Sequence, residues 1–328
     1  MSDLGVRGDP GGATARDPRG SDTLAKSYRY LRTAMAGLLL CLAAAVVYQS
    51  VRQDDLLSSV SAYYYTPAQG IFVGALIGLG ACMIALQGTT LVEDIFLNLG
   101  GVCAAIVAVV PTARDADYQA AVRACQQADT PLLTDRAATE PDCPTVQALA
   151  DATRANVENN LSALLIVGVL ALLATLAFAW KDGTLGGHAG RTVARKFWAG
   201  FAAATALWLA GLVARLTALQ WLIDNVHFVA AAGLFVCILV VVMVNARRAE
   251  DKPSGTASRA RQSVEAVGEL AAVTRRHDRY IWIARIMLLV AAGSALLMVA
   301  DVITLFWLEI AVTGLFIVFW IVQTVDLD

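Results

Sequence analysis

Long apolar runs alternate with short polar segments along most of this chain. Eight runs carry little charge at their centres and approach the length of about 20 residues that a transmembrane helix needs. The last two are joined by a few residues around Asp301, and they predict a hairpin because one helix through both would be about twice as long as the bilayer core is thick. The runs lie at 33–50, 68–87, 93–111, 158–180, 197–217, 226–246, 281–300 and 303–323.

Composition agrees with this pattern and excludes several classes of protein. Of the 328 residues, 58% are hydrophobic and 16% are charged, whereas roughly 25% are charged in an average soluble protein. The 25 Lys and Arg residues nearly balance the 27 Asp and Glu residues, so no nucleic-acid partner is implied. We therefore predict an all-α, polytopic transmembrane helix bundle, and we exclude a soluble globular enzyme and a disordered chain.

The distribution of basic residues predicts the orientation of the bundle. If the N-terminus is inside, 18 of the 25 Lys and Arg residues lie in inner segments and five lie in outer segments. Because cytoplasmic segments carry the excess of Lys and Arg, both termini are predicted in the cytoplasm and the protein in the cell (plasma) membrane.

The segments outside the spans predict a simple domain organisation. Residues 1–32 are rich in Gly, Pro, Asp and Arg and predict a disordered cytoplasmic tail, followed by a bundle over 33–328. In inner loop 247–279, apolar residues recur every three positions over the part 258–279. This part predicts a helix on the inner membrane surface, an extension of the seventh span, or a docking site for a protein partner.

The cysteines divide between the spans and one loop. Cys125 and Cys143 share the long outer loop 112–156, where an oxidising exterior allows them to pair. A disulfide closing a loop of this size stabilises a protein by about 3 kcal/mol; the alternative is two unpaired thiols. The loop therefore predicts a small cap, which is a second candidate surface for a protein partner. The other four cysteines lie within predicted spans: Cys41, Cys82, Cys103 and Cys237.

Polar side chains from distant segments are predicted near the outer boundary of the membrane. Placing an ionisable group in the hydrocarbon costs at least about 2.5–3.5 kcal/mol, so each such group is expected to have a structural or functional role. One interpretation is an outward-facing polar pocket that binds membrane lipid or another amphiphile. Another is structural pairing of Arg215 with Asp224 or Glu309, and of His227 with Asp301. The pocket candidates are Ser61, Tyr64, Asp224, His227, Asp301 and Glu309.

The same residues could supply a base or metal ligands to a lipid hydrolase. However, the sequence has no HExxH or HxxxH spacing and no Gly-x-Ser-x-Gly elbow. We assign no metal site, no cofactor and no catalytic residue, and the sequence favours a non-enzymatic protein. The hydrolase and an accessory subunit of a membrane complex are the alternatives.

Two further features are predicted inside the bundle. Near the inner face, Asp94 and Arg285 could form a buried ion pair, or Arg285 could extend its guanidinium to the interface. Small residues in two of the spans predict closely packed helices. Gly74 and Gly78 lie four residues apart in the second span, and Gly100 and Gly101 are adjacent in the third span.

Several motifs resemble those of a known group of membrane proteins. The motifs are SSVSAYYYTP at 58–67, IFVGAL at 71–76, NLGG at 98–101, HFVAAA at 227–232 and FWLEI at 306–310. In these motifs the chain resembles a family of uncharacterised actinobacterial multi-pass proteins. More remotely, it is similar to the group that includes the damage-regulated autophagy modulators and a glycolipid-anchor remodelling factor. That resemblance implies a role near lipids and establishes no reaction. Alkaline ceramidase-like hydrolases use several intramembrane histidines, whereas the predicted spans here contain only His227.

Overall fold

A computed structural model describes most of the predicted bundle. The described residues are 18–88, 90–112, 120–125, 143–183, 191–251, 281–294, 296–297, 300 and 302–325. Asp301 and the segment 258–279 lie outside them.

Helices account for all the regular secondary structure in the described residues. Eight longer α-helices follow one another, and a 3₁₀ helix lies between the first two. Their bounds are α1 Pro18–Gln53, the 3₁₀ helix Ser61–Tyr65, α2 Gln69–Ala85, α3 Leu91–Val109, α4 Cys143–Lys181, α5 Arg191–Thr217, α6 Leu219–Asp251, α7 Ile281–Ser294 and α8 Leu305–Val325.

Each of the eight predicted apolar runs overlaps one of these helices. Six of them, namely α1, α3, α4, α5, α6 and α8, are long and apolar enough to cross a membrane. The helices α2 and α7 are apolar but shorter. The predicted helical membrane bundle is therefore confirmed, while its eight crossings stay a prediction.

Two helices begin earlier than the apolar pattern predicts. The helix α1 begins at Pro18, so residues 18–32 are helical rather than part of a disordered tail. The reason is local, because proline suits the first turn of a helix and no Gly or Pro interrupts residues 21–36. The helix α4 begins at Cys143 and takes up the end of the predicted outer loop. Cys125 and Cys143 lie at disulfide distance, with their Cα atoms 5.5 Å apart.

The core of the bundle lies where α3 packs between α2 and α6, while α1 packs on α2 and α8. The pair α4 and α5 is peripheral, since only 6% and 0% of their most apolar stretches is buried. These two helices are joined by Trp208, whose indole Nε1–H donates to the carbonyl of Leu165 at 2.8 Å. Gly168 leaves room for the Trp208 ring.

Two glycines set the closest approach of α2 and α3. A Cβ at Gly80 would lie 2.6 Å from the carbonyl oxygen of Gly101, and a Cβ at Gly101 would lie 2.6 Å from that of Gly80. The packing predicted for Gly101 is therefore present. On the face predicted from Gly74 and Gly78, a Cβ at Gly74 would meet nothing within 4 Å, whereas a Cβ at Gly78 would lie 2.9 Å from Leu38 Cδ1 on α1. Small-residue spacing alone did not identify which glycine of α2 lies at the crossing.

Polar contacts show which helix termini lie together at each end of the bundle. We call the end that contains Ser61–Tyr65 the 3₁₀ end. At the other end, Tyr28 donates to Gln87 at 3.3 Å, and a side-chain network joins residues 32, 93, 245 and 323. Following the chain through α1, α2, α3, α6 and α8, successive helix ends alternate between these two ends, as in an up-and-down bundle.

Candidate functional site

The 3₁₀ helix is held by a carboxylate from the last helix. Glu309 lies one turn into α8 and only 6% of it is exposed. Its Oε2 accepts the backbone N–H of Val60 at 2.6 Å, and its Oε1 accepts the hydroxyl of Ser61 at 3.3 Å. These donors lie at the N-terminus of the 3₁₀ helix, where backbone N–H groups have no partner within the helix. Glu309 therefore acts as a side-chain cap supplied by another segment.

A cavity of about 60 Å³ begins at this carboxylate. On this measure a single water needs about 10–15 Å³, so the cavity can hold several waters or a short stretch of alkyl chain. Three of the 16 lining residues are polar, namely Ser61, Glu309 and Thr313. The apolar wall consists of Leu39, Leu42, Val60, Phe72, Leu76, Leu79, Val107, Ala231, Leu234, Phe235, Ile238, Val312 and Phe316.

The half-buried lining residues show where the cavity opens. Most of the wall is buried. Ala231 and Phe235 on α6 and Thr313 on α8 are only half-buried, as is Val60 beside the 3₁₀ helix, so three of the four half-buried residues lie on α6 or α8. The helices α6 and α8 contact each other sparingly. The mouth of the cavity therefore lies between these two helices, on the side of the bundle.

The C-terminal end of α3 forms a second polar layer at the 3₁₀ end. Three carbonyl acceptors at or just after its last residue each receive a side-chain donor from a different segment. The Asn160 amide donates to Val109, the His227 ring donates to Val110 and the Tyr65 hydroxyl donates to Thr112, each at 2.6 Å. Because the last carbonyls of a helix have no partner within it, these donors satisfy them and join α4, α6 and the 3₁₀ helix to α3.

His227 is tied to the backbone rather than to a carboxylate. It is 3% exposed, and its Nδ1 must carry the proton because a carbonyl oxygen can only accept. Its Nε2 has no hydrogen-bond partner in the described part of the chain. The predicted partner Asp301 lies outside the described residues. No group of three His, Cys, Asp or Glu side chains with metal-binding geometry occurs in the described residues.

The other predicted pocket residues separate into two environments. Ser61 contacts Glu309, and Tyr64 is buried in the same 3₁₀ helix with its ring edge-on to Phe72, a residue of the cavity wall. Asp224 is exposed, and it accepts a hydrogen bond from the Gln220 amide at 3.1 Å. Of the predicted pocket residues, the structure therefore places Ser61 and Glu309 at the cavity and Tyr64 behind its wall, and it leaves Asp224 outside.

The predicted ion pairs do not form among the described residues. Arg215 lies 3.8 Å from Glu158 rather than beside Asp224 or Glu309, because α5 runs antiparallel to α4 and brings position 158 to its end. Glu158 also accepts a hydrogen bond from Arg154 one turn earlier on α4, at 3.1 Å. Both contacts are partly exposed, so they contribute little to stability.

The predicted pair near the opposite end is also replaced by other contacts. Asp94 accepts the backbone N–H of Gly88 at 3.1 Å, which closes the turn before α3. The guanidinium of Arg285 lies over the ring of Trp282, with its carbon 6.0 Å from the ring centroid. These partners are close in sequence, so each is reached without bringing α3 and α7 together.

A buried network at the opposite end was not predicted. The Asn245 amide donates to Glu93 Oε1 at 2.8 Å, and the Gln323 amide donates to Asn245 Oδ1 at 3.0 Å. Arg32 donates to the backbone carbonyl of Gln323 at 3.3 Å and lies over the ring of Trp320. The available signal was that Asn245 and Gln323 are polar residues near the ends of apolar runs, at the same depth as Glu93.

Comparison with known proteins assigns no family to this chain. No family model matches it, and no curated protein or solved structure matches it significantly. The similarity to actinobacterial multi-pass proteins therefore stays a prediction from short motifs.

Proposed function

We propose that this is an integral protein of the plasma membrane that binds a lipid or another amphiphile in the cavity between α1, α2, α6 and α8. The observation that carries the proposal is the composition of the cavity wall. The wall is apolar apart from a buried carboxylate and two hydroxyl groups, and its mouth opens sideways between two apolar helices. An apolar cavity with a few convergent polar groups is the usual form of a small-molecule site.

The polar end of the cavity has to provide the selectivity. An alkyl chain that enters from the membrane leaves one apolar medium for another, so the apolar wall selects mainly by shape. A hydrogen bond to Glu309 forms in a medium of low dielectric constant, where such bonds are stronger than in water. Binding therefore depends on what the head group of the amphiphile offers to Glu309.

The proposed threading has eight crossings with both termini in the cytoplasm. It is supported by the alternation of helix ends between the two ends of the bundle and by the excess of Lys and Arg in the segments assigned to the inside. In this orientation the 3₁₀ end lies at the exterior, and the cavity opens in the outer half of the membrane.

Cysteine labelling in intact cells tests this orientation. Asp55 and Asp182 are exposed and lie at opposite ends of the proposed bundle. A membrane-impermeant maleimide should label Asp55→Cys in intact cells and Asp182→Cys only after permeabilisation, with the parent chain giving the background from its own cysteines. Labelling of both variants in intact cells contradicts the threading.

A photoactivatable probe tests whether the cavity binds a chain. The probe is a long-chain alcohol with a diazirine in its tail, and labelled peptides are mapped by mass spectrometry. The larger side chain of Ala231→Leu fills the mouth, and Ala232→Leu is the matched control because Ala232 is exposed on the same helix and does not line the cavity. We expect labelling of residues 231–238 or 309–316 to fall several-fold in Ala231→Leu only. Equal labelling of the two variants counts against the proposal.

One observation favours a second candidate, an accessory subunit of a membrane complex. The peripheral pair α4 and α5 exposes large apolar side chains along most of its length. A protein partner could pack there or on the outer loop 112–156. Isolation in mild detergent distinguishes the two, since an accessory subunit co-purifies with its partner in stoichiometric amount.

The hydrolase alternative gains no support from the described geometry. His227 contacts Val110, whereas Glu309 contacts Val60 and Ser61. In the described residues no hydrogen bond joins Ser61 to the histidine, as a base-activated hydroxyl nucleophile requires.

A further inference from the structure

We propose that the cavity selects amphiphiles whose head group is positively charged and donates hydrogen bonds, with a long-chain primary amine as the simplest member. This inference rests on the proposed function, since it names the class of ligand for the same cavity. It excludes free fatty acids and other amphiphiles with an anionic head.

The charge of the lining carries the first part of the argument. Glu309 is the only ionisable residue among the 16 that line the cavity, and no Lys or Arg is among them. Its partners in the 3₁₀ helix are the backbone N–H groups of Val60 and Ser61 and the Ser61 hydroxyl, and all three are neutral. A buried charge is costly unless a counter-charge pairs with it, so a cationic head group gains more here than a neutral one.

The hydrogen-bonding capacity of the polar end carries the second part. A carboxylate has about four lone-pair sites, and the three donors from Val60 and Ser61 leave about one of them for a ligand. Thr313 lies one turn beyond Glu309 on α8, at the mouth, and its hydroxyl makes none of the described hydrogen bonds. An ammonium group has three N–H donors and no acceptor. It can therefore bond to Glu309 and the Thr313 hydroxyl together.

The direction of entry is compatible with this class of ligand. The mouth is bounded by Ala231 and Phe235 on one side and Thr313 on the other, so a chain can lie along the groove between α6 and α8. The head then reaches Glu309 at the 3₁₀ end, where the Val60 N–H already fixes the carboxylate. A carboxylic-acid head would bring a second negative charge to that position.

Three probes with the same diazirine chain and different head groups test the inference. The purified full-length protein in phosphatidylcholine nanodiscs is labelled with the amine, the alcohol and the carboxylic acid over a range of concentrations. We expect half-maximal labelling of the cavity peptides at about a tenfold lower concentration for the amine than for the alcohol. We expect the acid to label those peptides no better than background.

Two variants separate charge from hydrogen bonding at the same position. Glu309→Gln keeps the size and one acceptor oxygen but removes the charge, so the advantage of the amine over the alcohol should shrink to about twofold or less. Ser61→Ala keeps the charge and removes one internal donor, so the advantage should remain. Labelling of Glu309→Gln with an unchanged amine preference overturns the inference.

A second pair of variants keeps the test decisive if Glu309→Gln does not fold. Thr313→Lys places an ammonium one turn from Glu309, where the two side chains are neighbours on the helix, and should abolish the amine preference. Thr313→Val keeps the shape of the side chain without charge or hydroxyl, so it loses only the bond to Thr313 and should reduce the amine preference without abolishing it. If none of the probes labels the cavity of the parent protein, the proposed function fails. If all three label it equally, only this inference fails.

Discussion

Replacing Gly101 by alanine should weaken the packing of the whole bundle, although alanine is the better helix former. The added Cβ would lie 2.6 Å from the Gly80 carbonyl oxygen and 2.6 Å from Ile84 Cγ1. A backbone carbonyl cannot rotate away as a side chain can, so α2 and α3 must separate. A gap of about 0.5–1 Å already loses a quarter to a half of the dispersion energy of the atoms facing it.

The size of the effect follows from two opposing contributions. Alanine in place of glycine stabilises a helix interior by about 1 kcal/mol, whereas overfilling a packed interior costs about 1–3 kcal/mol. Because the control gains the same helix propensity, that contribution cancels, and we expect Gly101→Ala to be about 1–3 kcal/mol less stable than a control that adds the same methyl group in open space. Gly74→Ala on α2 and Gly314→Ala on α8 are such controls, because a Cβ at either position meets nothing within 4 Å.

Reversible unfolding in mixed micelles with increasing dodecyl sulfate measures this difference. The seven tryptophans provide a fluorescence signal, and helix content from circular dichroism provides an independent one. The matched controls should unfold at the same detergent fraction as the parent chain or slightly above it. If Gly101→Ala unfolds together with Gly74→Ala, the close approach of α2 and α3 at this position is refuted.

Three other predictions concern single contacts. Tyr65→Phe loses the hydrogen bond to Thr112 and should destabilise the bundle by about 0.5–1.5 kcal/mol, while Tyr64→Phe, whose hydroxyl makes none of the described hydrogen bonds, should be neutral in the same unfolding assay. Glu93→Leu leaves the Asn245 amide without its side-chain acceptor and should cost about 1–3 kcal/mol, more than Glu93→Gln. Alkylation of the denatured, unreduced protein should modify four of the six cysteines; six modified cysteines rule out the disulfide.

The positions of the helices could be predicted because membrane burial acts on each segment separately. A run of about 20 apolar residues is a local signal, and each of the eight runs overlaps a helix. The start of α1 could not be predicted in the same way, since residues 18–32 are polar and become helical through local propensity. A hydropathy pattern predicts which part of a helix lies in the membrane, but it does not predict the residue at which the helix begins.

For the candidate site, the sequence could predict only the depth of its residues along the membrane normal. Threading brought Ser61 and Glu309 to one depth, and they are in contact. The same reasoning paired Arg215 with Asp224 or Glu309, whereas it lies beside Glu158. Depth limits the possible partners, but the choice among them depends on which helices are neighbours and how each is rotated. Asn245 carries no charge and lies near the end of an apolar run, so the sequence did not predict its partners.

The position of the cavity follows from where α6 and α8 are joined. At one end the Gln323 amide bonds to Asn245 and connects the two helices directly. At the 3₁₀ end they are held by different partners, since His227 of α6 bonds to the end of α3 and Glu309 of α8 bonds to the 3₁₀ helix. From Asn245 to the mouth at Ala231 is about 21 Å along α6, at 1.5 Å for each residue. Over that length none of the described hydrogen bonds joins the two helices directly, which leaves room for a lateral opening beside the buried carboxylate.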